Sequence, residues 1–210
     1  VLKSEIDSLI DERCSNAAEG CYYRHGVHVA EVVKAVKQLK RGKSEAFDSI
    51  TSDHFVNACH ELFIHLSFLF NIMIAHMQAP SDMLVSALVP IPKDKKKSLS
   101  DSNNYRSIAL GSIAGKLLDK VILMQHADVL RTDCLQFGFK EKHSTTQCTF
   151  VLEEVINYYV QNDSPVYCVL LDASRAFDRV HYVQLFRLLI NRGFCPRICK
   201  LLISMYTMQN

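Results

Sequence analysis

Apolar residues recur along the chain with periods that mark most of its elements. Leu2 to Ala17 reads as a polar-faced helix with Ile6, Leu9 and Ile10 on one side. Val29, Val32, Val33, Val36 and Leu39 fall at the three- and four-residue intervals of one helical face, and Gly42 supplies a stop. Thr51, Ser52 or Asp53 can cap a long helix running to about His76. The middle of that helix, Leu62 to Ala75, is the most apolar stretch of the chain. It is broken by His65, Ser67 and Asn71 and is too short to span a bilayer, so it predicts a buried helix and no membrane segment. Leu84 to Ile91 is rich in strand formers and runs into Pro90 and Pro92, which predicts a strand with an edge-like end. A lysine-rich loop follows, and Tyr105 to Leu110 makes a second strand, giving a hairpin with a long tip. Ser112 can cap a helix carrying Ile113, Leu117, Val121 and Met124; Ser144 or Thr145 can cap another with Phe150, Val151, Val155, Tyr158 and Tyr159. Val166 to Leu171 is a continuous apolar run, the pattern of a central strand buried on both faces. Helices over Tyr182–Asn191 and Pro196–Met208 close the chain, with Pro196 suited to a first turn. The fold class is α+β, mostly helical with a few strands. It lacks the βαβ alternation of a doubly wound sheet, and no internal repeat is visible.

Composition changes this picture little. At 210 residues, 49% hydrophobic and 22% charged, the chain is neither disordered nor collagen-like. The formal charge of +2 is uninformative, but its distribution is not. Residues 1–61 carry 8 basic and 10 acidic side chains, whereas residues 91–143 carry 10 basic and 6 acidic. The second region is the better place for a polyanion, most sharply at Lys93, Lys95, Lys96 and Lys97. The competing reading of that cluster is a solvated spacer between two strands. The eight cysteines contain no Cys-x-x-Cys pair and mostly sit in apolar patterns. With no secretory signal at the start, they predict buried thiols in a reducing compartment and no disulfide partner. Cys195 and Cys199 lie one helical turn apart without a second ligand pair. The nine histidines show no ligand spacing, and His60 and His65 read as core or edge residues of a helix.

The most informative chemistry lies in Val166 to Val180. Five apolar residues lead into Asp172 at the predicted strand's C-terminal end. A carboxylate there is costly to bury unless paired, hydrogen-bonded or metal-bound. Asp178 follows after a turn of small residues that leaves room for a large group to approach the backbone. Carboxylates so placed can hold Mg²⁺, which prefers oxygen ligands and substrate phosphates, and paired ions can run an in-line nucleotidyl displacement. The alternative is structural: Asp172 caps the turn, and Asp178 pairs with Arg175 or Arg179.

Asp172-Ala173-Ser174-Arg175-Ala176-Phe177-Asp178 resembles motif A of the reverse transcriptases of non-LTR (LINE-type) retrotransposons. Three more segments match in order. Lys40 through Asp48 and Ile50 is similar to the family's upstream motif. Val89-Pro90-Ile91-Pro92-Lys93 with Asn104 through Leu110 resembles its two fingers motifs. Gln136-Phe137-Gly138-Phe139-Lys140 with His143-Ser144-Thr145 resembles the segment before motif A. The resemblance implies a right-hand polymerase, with a helical N-terminal extension over residues 1–45, a fingers-like region over 46–160 and the first part of the palm over 161–210. It also implies RNA-directed DNA synthesis, with RNA template, DNA primer and dNTP as partners, Mg²⁺ or Mn²⁺ as cofactor in the complete enzyme, and an intracellular location, nuclear or cytoplasmic. By the same resemblance Asp172 is the catalytic metal ligand and the Ala173 carbonyl faces the ion. Phe177 is the steric gate against a 2′-hydroxyl, and Arg106 and Lys93 hold the triphosphate. Gln136, Phe137, Gly138 and Lys140 lie along template or primer, joined by Lys95 and Lys96. Against these roles stand plainer ones: Arg106 pairs with Asp101, Phe177 fills core, and Gln136–Phe139 is an ordinary turn.

The chain departs from the family in two ways. Ala46 stands where the family has Gly and Ser107 where it has Pro, and either change can loosen a turn. The Pro-Gln-Gly loop of motif B and the Asp-Asp hairpin of motif C are not in the sequence, which holds no Asp-Asp pair. The expectation is an incomplete domain cut inside the palm, inactive alone, with apolar surface exposed where further strands would pack. Two other readings remain: a non-catalytic retrotransposon remnant that at most binds RNA or DNA, and a phosphotransferase using Asp172 as nucleophile or ligand.

Overall fold

The computed structural model describes residues 4, 7, 8, 10, 11, 26–43, 47–140, 142–173, 176, 177 and 179–207. Most of the expected helix over Leu2–Ala17, Ala46, Cys14, Cys21, Ser174, Arg175 and Asp178 lie outside these residues. The elements are α1 (Val29–Lys37), α2 (Ser52–Val56), α3 (His60–His76), α4 (Ser81–Leu84), β1 (Ser86–Pro92), a short 3-10 turn (Ser102–Asn104), β2 (Tyr105–Gly111), α5 (Ile113–Gln125), α6 (Thr145–Gln161), α7 (Tyr182–Asn191) and α8 (Pro196–Thr207). Mixed helices and a two-stranded sheet bear out the α+β reading in its coarse form. None of the described helices is long and apolar enough to cross a membrane.

The chain divides into two compact units: residues 1–129 with 182–210, and residues 130–181. The first has a helical core. α1 packs on α3 and α5, and α8 packs on α3 and α7. Val32, Phe70, Met73, Leu117, Leu118, Val121, Ile198 and Leu201 are essentially sealed from solvent, and burying such side chains is the main source of stability. Ser67 and Asn71, which interrupt the apolar run of α3, are explained by this packing. The Ser67 hydroxyl donates to the Val27 carbonyl at 2.7 Å, and the Asn71 amide group both donates to that carbonyl and accepts from the Val27 amide, each at 2.8 Å. Polar groups in an apolar face are retained here because they satisfy the backbone at the start of α1.

Two helix boundaries differ from the expectation. The long helix to His76 is two helices, with Asn57 ending α2 and Cys59 preceding α3. Its apolar centre is also half-solvated, since Phe68 and Ile72 are exposed. Gly42 does not end α1, which stops at Gln38; it turns the chain four residues later at φ 63°, where its amide donates to the Asp53 carboxylate at 3.0 Å. Other boundaries are as read: Ser112 caps α5 by accepting from the Gly115 amide at 3.1 Å, and Pro196 opens α8.

The second unit contradicts the reading of Val166–Leu171. No strand forms there. Leu171 is 94% exposed and Tyr167 90%, and the segment's backbone makes no hydrogen bond with the described residues. A strand exists only through pairing, and the sole sheet among the described residues, β1–β2, lies in the other unit. α6 is likewise without a buried residue. The thiol expectation is corrected with it. Cys195 and Cys199 are buried in the first unit, but Cys59, Cys134, Cys148 and Cys168 are exposed. Three of these exposed thiols, Cys134, Cys148 and Cys168, sit in the second unit.

Candidate nucleotide and nucleic-acid site

The hairpin of the first unit carries the cations. β1 and β2 are antiparallel, with Val89 opposite Ile108, Pro90 opposite Ser107, Ile91 opposite Arg106 and Pro92 opposite Tyr105. The Lys93 amide donates to the Asn104 carbonyl at 2.6 Å and extends the ladder one step past β1. Strand alternation therefore sets Lys93 on the face that carries Ile91 and Arg106. Asn104 is buried and organises the tip. Its side chain donates to the carbonyls of Asp94 at 2.8 Å and Ser98 at 3.3 Å and accepts from the Asp94 amide at 3.1 Å. The Tyr105 hydroxyl adds a bond to the Leu99 carbonyl at 2.9 Å. The lysine loop is thus a defined turn, with Lys93, Lys95, Lys96 and Lys97 exposed on it.

The plainer reading of Arg106 does not hold. The Asp101 carboxylate is engaged by the Asn103 backbone and side-chain amides, at 2.9 and 3.1 Å, and Arg106 is exposed without a bond to any described side chain. Lys93 is committed locally: its ammonium donates to the Asn103 carbonyl at 2.8 Å. An anion there competes with a hydrogen bond at Lys93 and, among the described residues, with none at Arg106. Ser107 lies in the middle of continuous β2, so the residue that replaces the family's Pro sits in a strand and loosens no turn.

The second unit holds the remaining candidates. Gln136 donates its side-chain amide to the Gly138 carbonyl at 3.0 Å, and the Lys140 ammonium donates to the Asp133 carbonyl at 3.2 Å. Phe137 stands 6.1 Å from the His143 ring. Gly138 carries no positive φ and a Cβ on it would meet open space; Phe139, at φ 57°, takes the left-handed conformation instead. The Phe139 ring meets that of Phe177 edge to face, with centroids 5.9 Å apart. The pair joins the segment before motif A to motif A itself. Phe139 was not among the sequence candidates, although its place between Gly138 and Lys140 was a usable signal. Phe177 is 73% exposed, so it does not fill a core.

Asp172 and Ala173 are both exposed, in a stretch without regular structure. The burial argument for a metal at Asp172 therefore fails as first framed, because no strand buries the carboxylate. The donors remain of the right kind: a carboxylate and a backbone carbonyl are hard oxygen ligands suited to Mg²⁺. Two donors from adjacent residues do not close an ion site, and the described residues form no group of three or more His, Cys, Asp or Glu side chains. These residues alone do not fit a resident ion.

Comparison with known proteins settles the class. The profile described as reverse transcriptase (RNA-dependent DNA polymerase) matches residues 91–210, and the chain belongs to that family. The match takes in β2, the lysine tip, the Phe139–Phe177 pair and Asp172. The LINE-type resemblance of the motifs is met by three Drosophila melanogaster relatives. The chain is 27% identical over 158 residues to the probable RNA-directed DNA polymerase from transposon BS and 24% identical over 162 residues to that from transposon X-element. It is 28% identical over 142 residues to the putative 115 kDa protein in the type-1 retrotransposable element R1DM. These alignments cover 73%, 74% and 67% of this chain but 17%, 17% and 13% of the relatives, so the chain spans a small part of their length.

Proposed function

We propose that the chain is the fingers and first palm portion of an RNA-directed DNA polymerase of a LINE-type retrotransposon. The family match over residues 91–210 carries this reading. The finer architecture follows the motif order: a helical extension over 1–45, fingers over 46–160 and palm from 161. The partners are RNA template, DNA primer and dNTP, in an intracellular setting, nuclear or cytoplasmic. Arg106 offers forked donors to a triphosphate, and Lys93 a mobile point charge beside it. Phe177, braced by Phe139, presents the ring that excludes a 2′-hydroxyl. Gln136, Phe137, Gly138 and Lys140 meet the template by stacking and backbone contact, with Lys95 and Lys96 on phosphates. The cofactor of the complete enzyme would be Mg²⁺ or Mn²⁺, a hard cation suited to carboxylate, carbonyl and phosphate oxygens. Here Asp172 and the Ala173 carbonyl contribute two of its oxygen ligands and no more.

The experiment is primer extension on an RNA template with this chain and its Asp172→Ala variant. The expected result is no incorporation above the variant, since the donor set is incomplete. Robust synthesis lost on substitution would overturn that expectation. A second reading, a non-catalytic retrotransposon remnant that at most binds RNA or DNA, is favoured by the exposed lysines of the hairpin tip. Binding measured against salt separates it from a chain with no nucleic-acid role. Each of Lys93, Lys95 and Lys96 that meets phosphate steepens the log–log slope by about one, and charge reversal removes that share.

A further inference from the structure

Outside the lysine tip, the first unit holds a second cationic feature. Residues 34–43, reading KAVKQLKRGK, contain five cations and no acidic side chain. They end α1 and lead into a turn beside a cavity of about 350 Å³. Its wall is apolar: Val33, Val36, Leu39, Val56, Ala58 and Phe63. Lys37 and Arg41 complete the lining, both exposed and without a hydrogen bond or ion pair to any described residue. The Asp53 carboxylate accepts from the Gly42 amide of the turn at 3.0 Å. The wall is held in shape before any ligand arrives. Besides the Asp53 bond, the Ser52 hydroxyl donates to the Lys40 carbonyl at 2.7 Å and ties the turn to the start of α2.

We propose that this cavity is a docking site for a partner-protein segment that presents one bulky apolar side chain flanked by carboxylates. The volume, near the lower end of the roughly 300–1,000 Å³ of ligand clefts, suits one large side chain. The paired cations at its edge suit the flanking acids, which gives charge complementarity as well as shape. The lining also discriminates against a nucleobase. A base carries polar edges, and apart from the two cations the wall offers no polar side chain to satisfy them, so their burial is penalised. An aliphatic or phenyl group has no such requirement. The site is separate from the nucleotide candidates of the hairpin and goes beyond the polymerase reading.

The test uses the full chain and three fluorescent probes at one fixed ionic strength. The first is an acidic peptide of Asp and Glu with a single central Phe, the second is its Phe→Ala counterpart, and the third is a uridine oligonucleotide of matched charge. The expected result is that the Phe peptide binds at least about tenfold more tightly than its counterpart. Ala58→Trp, which fills the cavity without touching charge, erases that preference. Lys37→Glu with Arg41→Glu weakens the Phe peptide by about tenfold or more, while Arg187→Glu elsewhere on the surface does not. Equal binding of the two peptides to the unsubstituted chain would overturn the proposal, and this comparison stands even if Ala58→Trp fails to fold. Displacement of the Phe peptide by the oligonucleotide, with Lys37 and Arg41 governing the oligonucleotide's affinity, would overturn it in favour of nucleic acid.

Discussion

α3 and α6 are both 17-residue helices, the first expected from the most apolar stretch of the chain and the second from Phe150, Val151, Val155, Tyr158 and Tyr159 behind a Ser144 or Thr145 cap. They end in different places. α3 buries Leu66, Ser67, Phe70, Met73 and Ile74 between α1 and α8. α6 buries nothing; Phe150, Val151, Val155, Tyr158 and Tyr159 all stand in solvent. The contrast holds for the two units as wholes, since every buried residue described belongs to the first. Periodicity thus dictates a helix and its apolar face but supplies nothing for that face to meet. A helix is stabilised chiefly by packing, so helices of equal length differ in stability when one lacks neighbours.

The largest test of this contrast pairs two leucines. Leu118 on α5 is fully buried, and Leu118→Ala should cost about 2–5 kcal/mol through lost transfer energy and a cavity. Leu170 is 87% exposed, and Leu170→Ala should change stability by no more than about 0.5 kcal/mol. Denaturant unfolding of both variants measures the difference. A comparable loss at Leu170 would show that Val166–Leu171 is covered in solution and would break the comparison.

Hydrogen exchange should sharpen it along the chain. Amides of α3 and α5 should exchange only with opening of the first unit, at the highest protection of the molecule. Amides of Val166–Leu171, which have no backbone acceptor among the described residues, should exchange near the free rate, with α6 between the two.

The sequence was legible wherever a local rule decided the outcome. Ser112 capped its helix, Pro196 opened the last one, and the β1–β2 hairpin formed with its long lysine tip. The motifs located the family through residues that recur in order. Other features were out of reach because they depend on what a segment touches. Val166–Leu171 has the composition of a central strand, but a strand is defined by a pairing that composition does not contain. Asn57–Cys59 breaks a helix whose apolar spacing continues through it. Phe139 is left-handed beside a glycine that would have taken that conformation more cheaply, and its contact with Phe177 joins residues 38 apart in sequence.

A middle-sized effect lies at a helix end. Ser112→Ala removes the acceptor for the Gly115 amide and should cost about 1 kcal/mol of the first unit's stability, read as a lower denaturation midpoint with unchanged slope. Gly115→Ala alone should gain little stability, whereas in the Ser112→Ala background it should recover part of the loss. A Cβ there would stand 3.2 Å from the Ser112 hydroxyl, so any gain in helix propensity is offset in the unsubstituted chain.

The smallest effect is titratable, and it belongs to the packed unit. Asp119 is open to solvent by area, yet its surroundings on α5 desolvate the carboxyl and hold its pKa above the usual 3.8. Tyr206 on α8 is also raised above 10.0, first by burial, then by the Asp119 charge and by Tyr182, whose ring lies 5.1 Å away. A raised carboxyl binds its proton more tightly folded than unfolded. Its stabilising contribution is therefore complete below pH 3.8 and is lost as pH rises through the higher folded value. Asp119→Asn should then raise the thermal midpoint near neutral pH, by a few degrees at most because the group is solvent-screened, and the gain should vanish in acid. The same substitution removes one of the causes that raise Tyr206, so its phenol should ionise at lower pH in an absorbance titration. A midpoint unchanged at neutral pH, with the Tyr206 titration also unmoved, would show that the two groups do not feel each other and that Asp119 sits in ordinary water.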